Sequence, residues 1–165
     1  MENLVENIIS YLGVLGKELI VFIISLLPLL ELRGGLIAAS LLKVSFFKGY
    51  MISIIGNILP IPLVLFFLER VLKELKRFNF TSKIVTKFEN RLLLKKKQID
   101  KYGYLGLLLF VGIPLPGTGA WTGSALAVFL HLNKKKSFIY IILGIIMASI
   151  IMSIFSYGII GNIIK

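Results

Sequence analysis

The chain has 165 residues, of which 57% are hydrophobic and 16% are charged, and its mean hydropathy is +0.91. This composition excludes an ordinary soluble domain and predicts an all-α integral membrane protein. The formal net charge of +11 would suit nucleic acid, but the basic residues are confined to loops between apolar stretches, which favours anionic lipid head groups as partners and no nucleic acid.

The amino-terminal part of the chain predicts two elements. Residues 1–17 carry their apolar side chains on one helical face, which predicts an interfacial helix on the membrane surface. Residues 19–42 are apolar but interrupted, and each half is too short to cross a bilayer. We therefore predict a re-entrant helical hairpin whose returning helix starts at Gly34 or Gly35. The interruption consists of Pro28, Glu31, Arg33, Gly34 and Gly35.

Residues 50–68 contain no charge and are predicted to form the first transmembrane helix. Asn57, Pro60 and Pro62 lie inside it and predict a kink whose freed carbonyl groups face a substrate cavity. The linker at residues 69–101 carries eleven lysines and arginines, so the positive-inside rule places it in the cytoplasm. Its interleaved apolar residues predict an amphipathic helix that lies on the leaflet.

A second interrupted apolar stretch occupies residues 103–131 and contains the sequence IPLPGTGAWTG at residues 113–123. Its prolines lack backbone donors and its glycines permit positive φ, so we predict a second re-entrant hairpin. The returning helix is predicted to start at Thr118 or Gly119. A last transmembrane helix is predicted over residues 138–160, which are uncharged.

These assignments make the two halves of the chain an inverted repeat of hairpin, basic connection and transmembrane helix. Inverted repeats place binding sites near the bilayer midplane, and helix amino termini there offer free amides to an anion. The residues predicted to bind substrate or couple transport are Glu31, Arg33, Gly34, Gly35, Asn57, Pro60, Pro114, Pro116, Gly117, Thr118, Gly119, Trp121, Thr122 and Gly123. Alternatively, the glycines serve only close helix packing, and Trp121 is core rather than cavity wall.

Glu31 and Arg33 are the formal charges inside the apolar stretches. A charge at the bilayer centre costs about 2.5–3.5 kcal/mol on insertion scales, which favours a functional role. The alternative is a structural pair, although residues two apart on a helix meet only if the backbone turns between them. Gly144 and Ala148 favour a close helix crossing, within the chain or in a homodimer.

Three blocks of the sequence carry a family resemblance. PLLELRGGLIAA (residues 28–39), GNILPIPLVLFFLE (56–69) and KYGYLGLLLFVGIPLPGTGAWTGSALA (101–127) resemble the signature blocks of the putative small multidrug export protein family of prokaryotes. The resemblance implies a multi-pass exporter of the cytoplasmic (inner) membrane. One departure is that Ala38 follows Ile37, where the family pattern has proline. In architecture the chain is more loosely similar to DedA-like membrane proteins, whose sequence motifs it lacks.

The residue inventory does not favour an enzyme. The sequence has one histidine, no cysteine and no phosphate-binding loop with lysine, so we predict no catalytic residues, metal or cofactor. The leading hypothesis is a secondary transporter or exporter of a small or amphipathic substrate, with Glu31 as the protonatable coupling group. The alternatives are a DedA-like lipid-phosphate flippase or transporter and a non-transporting membrane scaffold.

Overall fold

The structure, a computed structural model, describes residues 16–160, apart from the side chains at 79, 93, 95, 97, 98, 100, 159 and 160. The regular elements in that range are all helices, which confirms the all-α prediction. The interfacial helix predicted over residues 1–17 lies outside the described residues except for its last two positions.

The helices of the described part are numbered here in chain order. Helix α1 is Lys17–Leu26, α2 is Glu31–Leu41, α3 is Phe46–Ile58, α4 is Pro60–Leu75, α5 is Asn79–Gly112, α6 is Ala120–Phe129 and α7 is Lys134–Ser153, followed by a π-helix at Ile154–Ile160. Within the described range they form two compact units. Unit 1 contains residues 16–57 and 149–160, and unit 2 contains residues 58–148.

Among the described residues, two helical stretches are long and apolar enough to cross a membrane. They are Phe46–Leu75, with a mean hydropathy of 2.3, and Lys134–Gly158, with a mean hydropathy of 2.6. The first stretch includes the predicted transmembrane helix at residues 50–68, and the second includes residues 138–158 of the helix predicted at 138–160. The described part of the chain, residues 16–160, therefore has two candidate membrane-spanning helices.

The first of these stretches is interrupted at Leu59, where α3 has ended and α4 is about to begin. Pro60 is the first residue of α4, a position at which the missing amide removes no hydrogen bond from within the helix. Leu59 itself keeps helical dihedral angles, with a φ of −55° and a ψ of −41°, so the kink and its cavity-facing carbonyl groups stay a prediction.

Unit 1 is built around the hairpin of α1 and α2. These helices have 10 and 11 residues, so each is about 15 Å long, half of a hydrocarbon core of about 30 Å. Residues 27–30 connect them. Leu32, Gly35, Leu36 and Ala39 recur at helical spacing on α2 and are buried, which gives the hairpin one continuous packing face.

In helix α3 the buried face is small and polar, whereas a helix of a soluble protein buries its apolar face. Its buried residues are Gly49, Ser53, Gly56 and Asn57, which are small or polar and recur along one face. Several of its large apolar side chains, including Phe47 and Ile55, are exposed. A helix surrounded by lipid is expected to bury its small and polar residues and to expose its apolar residues.

The π-helix completes unit 1 by packing against α2. The Ser40 hydroxyl donates a hydrogen bond to the Ser156 carbonyl at 2.8 Å, and the Tyr157 hydroxyl donates to the Val44 carbonyl at 3.2 Å. The Tyr157 ring also meets the Phe46 ring edge to face, with centroids 5.2 Å apart. The carboxyl-terminal end of the described chain is thus held in the same unit as the first hairpin.

Unit 2 contains α6 packed against both α4 and α5. Helix α5 changes direction at Gly103, whose φ of 57° and ψ of −135° are not helical. This break lies near the start of the short apolar helix at Lys101–Gly112, which follows the basic amphipathic part of α5. In the basic part, Val85, Leu92 and Ile99 repeat every seven residues and are buried, so this part of α5 has an inner face.

Gly144 of α7 allows a close helix crossing inside unit 2. A Cβ atom at this position would lie 2.8 Å from the backbone carbonyl oxygen of Leu108 and 2.7 Å from Cβ of Val111. The close crossing predicted at Gly144 is therefore made within the chain, against α5. A homodimer stays a prediction, because this contact gives it no support.

Candidate functional site

The turn of the first hairpin places a carboxyl group at the start of a helix. Helix α2 begins at Glu31, whose φ of 51° reverses the chain, and its amide donates to the Leu27 carbonyl at 2.9 Å. The prediction that α2 starts at Gly34 or Gly35 is wrong. The helix is already formed there, since the Gly34 amide donates to the Leu30 carbonyl at 2.8 Å. The left-handed residue is Glu31, so the reversal precedes both glycines.

Glu31 and Arg33 form a local charge pair at this turn. The Glu31 side chain is only 5% exposed, and Arg33 is half-buried. The guanidinium group of Arg33 interacts electrostatically with the Glu31 carboxylate. The positive φ at Glu31 supplies a backbone turn that a regular helix lacks and that lets side chains two residues apart approach each other.

Gly34 and Gly35 have packing roles. A Cβ atom at Gly34 would lie 2.7 Å from Cβ of Leu30. At Gly35 it would overlap with the Ser25 hydroxyl of α1 and lie 2.9 Å from the Ser53 hydroxyl of α3. Helices α1, α2 and α3 therefore approach one another closely at Gly35, which supports the alternative interpretation that the glycines serve helix packing.

A buried polar face adjoins this approach in unit 1. Ser25 is fully buried and donates to the Val21 carbonyl at 2.7 Å. Ser53 is also fully buried, and Asn57, one turn further along α3, is 2% exposed. Within the described residues, neither the Ser53 hydroxyl nor the Asn57 side-chain oxygen has a hydrogen-bond partner. Buried polar atoms normally find a partner, so these two are candidates for contact with a ligand.

Ser25 and Ser53 were missed by the sequence reasoning. A detectable signal was the spacing of Ser53 and Asn57, four residues apart on an otherwise apolar helix, together with Gly49 and Gly56 on the same face. No comparable signal marks Ser25, because a serine in a membrane helix can bond its own backbone four residues earlier. Its place opposite Gly35 follows only from the packing of the hairpin.

The turn of the second hairpin, in unit 2, agrees with the local predictions. Gly117 and Gly119 have φ values of 73° and 138°, and α6 begins at Ala120 with Gly119 as its N-cap. The Thr118 hydroxyl lies 2.8 Å from the Leu115 carbonyl and 3.0 Å from the Ile113 carbonyl. It also accepts a hydrogen bond from the Leu115 amide at 3.3 Å. Thr118 therefore stabilises the turn itself.

A cleft of about 160 Å³ lies beside this second turn. Its walls include Tyr102, Leu109 and Phe110 of α5 and Ile113, Leu115 and Thr118 of the turn. The lining is mostly apolar, with the Thr118 hydroxyl and the tyrosine as its polar side chains. Such a surface suits the apolar part of an amphipathic molecule.

The remaining predicted residues of unit 2 are distributed around α6. Trp121 and Thr122 are half-buried, and neither lines the cleft. Gly123 is buried where a Cβ atom would lie 2.6 Å from a methyl group of Val111, so it serves the packing of α6 on α5. Pro114 is half-buried and Pro116 is exposed.

The predicted site residues thus divide between the two units. Glu31, Arg33, Gly34, Gly35 and Asn57 belong to unit 1, whereas Pro60 and the predicted residues of the second hairpin belong to unit 2. That hairpin set is Pro114, Pro116, Gly117, Thr118, Gly119, Trp121, Thr122 and Gly123. A single chamber formed by both sets stays a prediction. Among residues 16–160, no group of three histidine, aspartate or glutamate side chains could hold a metal ion.

Comparison with known proteins gives one match. Residues 31–151 match the family described as "Putative small multi-drug export protein". Searches of curated proteins and of solved structures found no match. The matched region covers well over half of the chain and includes the second hairpin turn, the whole of Phe46–Leu75 and most of Lys134–Gly158. This membrane protein therefore belongs to the family described as "Putative small multi-drug export protein".

Proposed function

We propose that the protein is a secondary transporter of the prokaryotic cytoplasmic membrane that exports a small amphipathic substrate through a site at the first hairpin. The observation that carries the proposal is the buried Glu31 carboxyl at the hairpin turn. An ionisable group inside a membrane protein is a functional candidate, because its burial costs free energy that apolar packing would not.

The exposed residues of the first turn support its insertion into the bilayer. Leu29 is 95% exposed, and its neighbours Leu27 and Leu30 are also exposed. Three exposed leucines around Pro28 would be unfavourable in water and are favourable in lipid. With α1 and α2 each about 15 Å long, a re-entrant hairpin would carry Glu31 to roughly half the depth of the membrane.

The chemistry of unit 1 favours a substrate that donates hydrogen bonds. The side-chain oxygen of Asn57 and the hydroxyl of Ser53 are buried acceptors, and Glu31 adds a carboxylate. A cationic or amide-bearing group could bond to such acceptors, whereas a purely apolar molecule could not. Arg33 would then balance the Glu31 charge when the substrate leaves.

Coupling would follow from competition at one carboxyl group. A proton and a cationic substrate would bind Glu31 in turn, so proton entry would drive substrate exit. When neither ligand is bound, the positive charge of Arg33 balances the Glu31 carboxylate, so the empty site does not contain an isolated negative charge.

The test is flux in proteoliposomes with an imposed proton gradient and a fluorescent lipophilic cation as substrate. We expect Glu31→Gln to lower gradient-driven flux at least about tenfold, because it removes the proton-binding group. Glu18→Gln is the matched control, since Glu18 is an exposed carboxylate of the same unit paired with Lys48 at 3.6 Å. Its flux should equal that of the parent protein.

The outcomes separate the proposal from its alternatives. Equal flux by the parent protein and a well-folded Glu31→Gln variant would overturn the assignment of Glu31. If the cation is not moved but a fluorescent phosphatidic acid is flipped in an Arg33-dependent way, the lipid-phosphate alternative holds. If the parent protein moves neither the cation nor the lipid, and substitution of Glu31 or Arg33 changes only folding, the scaffold alternative is favoured.

A further inference from the structure

A second cleft in unit 2 has the charge and position of a lipid head-group site. Its volume is about 460 Å³, and we call it the basic cleft. It is lined by Phe66, Glu69, Arg70, Lys73, Glu74, Arg77 and Lys134. Four cationic side chains face two carboxylates, and one of those carboxylates, Glu74, is already paired with Arg77 at 2.7 Å. The cleft therefore has an excess of positive charge.

The basic cleft lies beside one terminus of each candidate membrane-spanning helix. Residues 66–77 include the carboxyl-terminal end of Phe46–Leu75, and Lys134 is the first residue of Lys134–Gly158. The ends of spanning helices lie at the level of lipid head groups. The eleven basic residues of the linker place this level on the cytoplasmic side.

An exposed apolar stripe leads from the membrane region to the basic cleft. Leu63, Phe66 and Phe67 are all exposed on α4, and Arg70 follows on the same helical face. The Lys134 ammonium lies 5.2 Å from the centre of the Phe66 ring. Cationic groups above an exposed aromatic and aliphatic stripe complement a molecule with an anionic head and an acyl chain.

We propose that the basic cleft binds the phosphate group of an anionic phospholipid, with one acyl chain along Leu63, Phe66 and Phe67. Arg70 and Lys134 contribute cationic donors that are free of the Glu74–Arg77 ion pair. Guanidinium and ammonium groups suit phosphate oxygens as charge-assisted donors. The excess positive charge favours an anionic head group over a zwitterionic one.

A neighbouring cleft differs from the basic cleft in its charge, so the anionic lipid is assigned to the basic cleft alone. It has a volume of about 320 Å³ and shares Glu69 and Lys73 with the basic cleft. Its other charged residues are Lys76 and Glu89, which pair at 2.8 Å, and His131 is also in its wall. Two lysines against two glutamates leave no excess charge, so an anionic head group gains little there.

The experiment is native mass spectrometry of the purified full chain in detergent with equal amounts of phosphatidylglycerol and phosphatidylcholine. We expect the parent protein to retain one phosphatidylglycerol in preference to phosphatidylcholine. The double variant Arg70→Gln/Lys134→Gln should lose this preference by about tenfold or more, since each basic residue near an anionic surface contributes measurably to binding. A cooperative thermal unfolding transition of the double variant would show that it is folded.

The matched control is Lys83→Gln/Lys87→Gln, which removes the same charge from exposed residues of α5 that do not line the basic cleft. It should retain phosphatidylglycerol like the parent protein. Equal loss in both double variants, or no preference in the parent protein, would overturn the proposal. Displacement of the lipid by millimolar inorganic phosphate would also overturn it, because the site would then recognise free phosphate without the acyl chain.

Discussion

The two hairpin turns of this chain reverse direction by different means. The second turn uses residues suited to the task, because Gly117 and Gly119 take the positive φ values and the Thr118 hydroxyl bonds the backbone. The first turn gives positive φ to Glu31, a residue that rarely adopts it, and buries the side chain. Strain combined with a buried charge is characteristic of a functional position, whereas the second turn is explained by local stability.

Close helix packing should give the largest effects on stability, in both units. Gly56→Ala would place Cβ 2.9 Å from the Phe22 carbonyl oxygen, and Gly144→Ala would place it 2.8 Å from the Leu108 carbonyl oxygen. Backbone atoms cannot rotate away, so each substitution should reduce the free energy of unfolding by about 1–3 kcal/mol. Thermal unfolding in detergent measures this. Gly158→Ala is the control, since nothing lies closer than 4.0 Å there.

Strain at Glu31 can be separated from the loss of its charge. Glu31→Gly and Glu31→Ala both remove the carboxyl group, but only glycine adopts a φ of 51° without steric cost. The free energy of unfolding of the glycine variant should be about 1–2 kcal/mol higher than that of the alanine variant. Equal stabilities would show that the backbone at Glu31 is not strained, and the contrast between the turns would fail.

The Thr118 hydroxyl should contribute only to stability. Thr118→Val keeps the shape of the side chain but removes the bonds to the Leu115 and Ile113 carbonyls, which should cost about 1 kcal/mol. Thr118→Ser should restore most of this loss. A transport defect in Thr118→Val at unchanged stability would instead make the second turn part of the substrate site.

The smallest stability effect is expected at Ser53. Because its buried hydroxyl has no partner among the described residues, Ser53→Ala should leave the free energy of unfolding unchanged or raise it by up to about 1 kcal/mol. The same variant should bind the transported cation more weakly in a fluorescence titration. Clear destabilisation would mean that Ser53 has a structural partner, and unchanged binding would remove Ser53 from the site.

Much of the local structure was predictable from residue chemistry. Pro60 starts α4 because a proline amide is dispensable at the first helical position, and Gly119 precedes α6 because it tolerates positive φ. The start of α2 was predicted at Gly34 or Gly35 and lies at Glu31. The tendency of glycine to mark a turn was outweighed there by packing. Gly35 lies inside the helix because only a residue without a side chain fits opposite Ser25.

The sequence by itself determined the class of the protein, the two candidate membrane-spanning helices among residues 16–160 and the residues able to form the turns, because hydropathy and backbone preference are properties of short segments. Only the tertiary structure decided that Glu31 takes the left-handed conformation and that the Ser53 hydroxyl and the Asn57 side-chain oxygen are buried without partners in the described part of the chain. These features depend on which helix faces meet, and that is set by the close packing of residues distant in sequence.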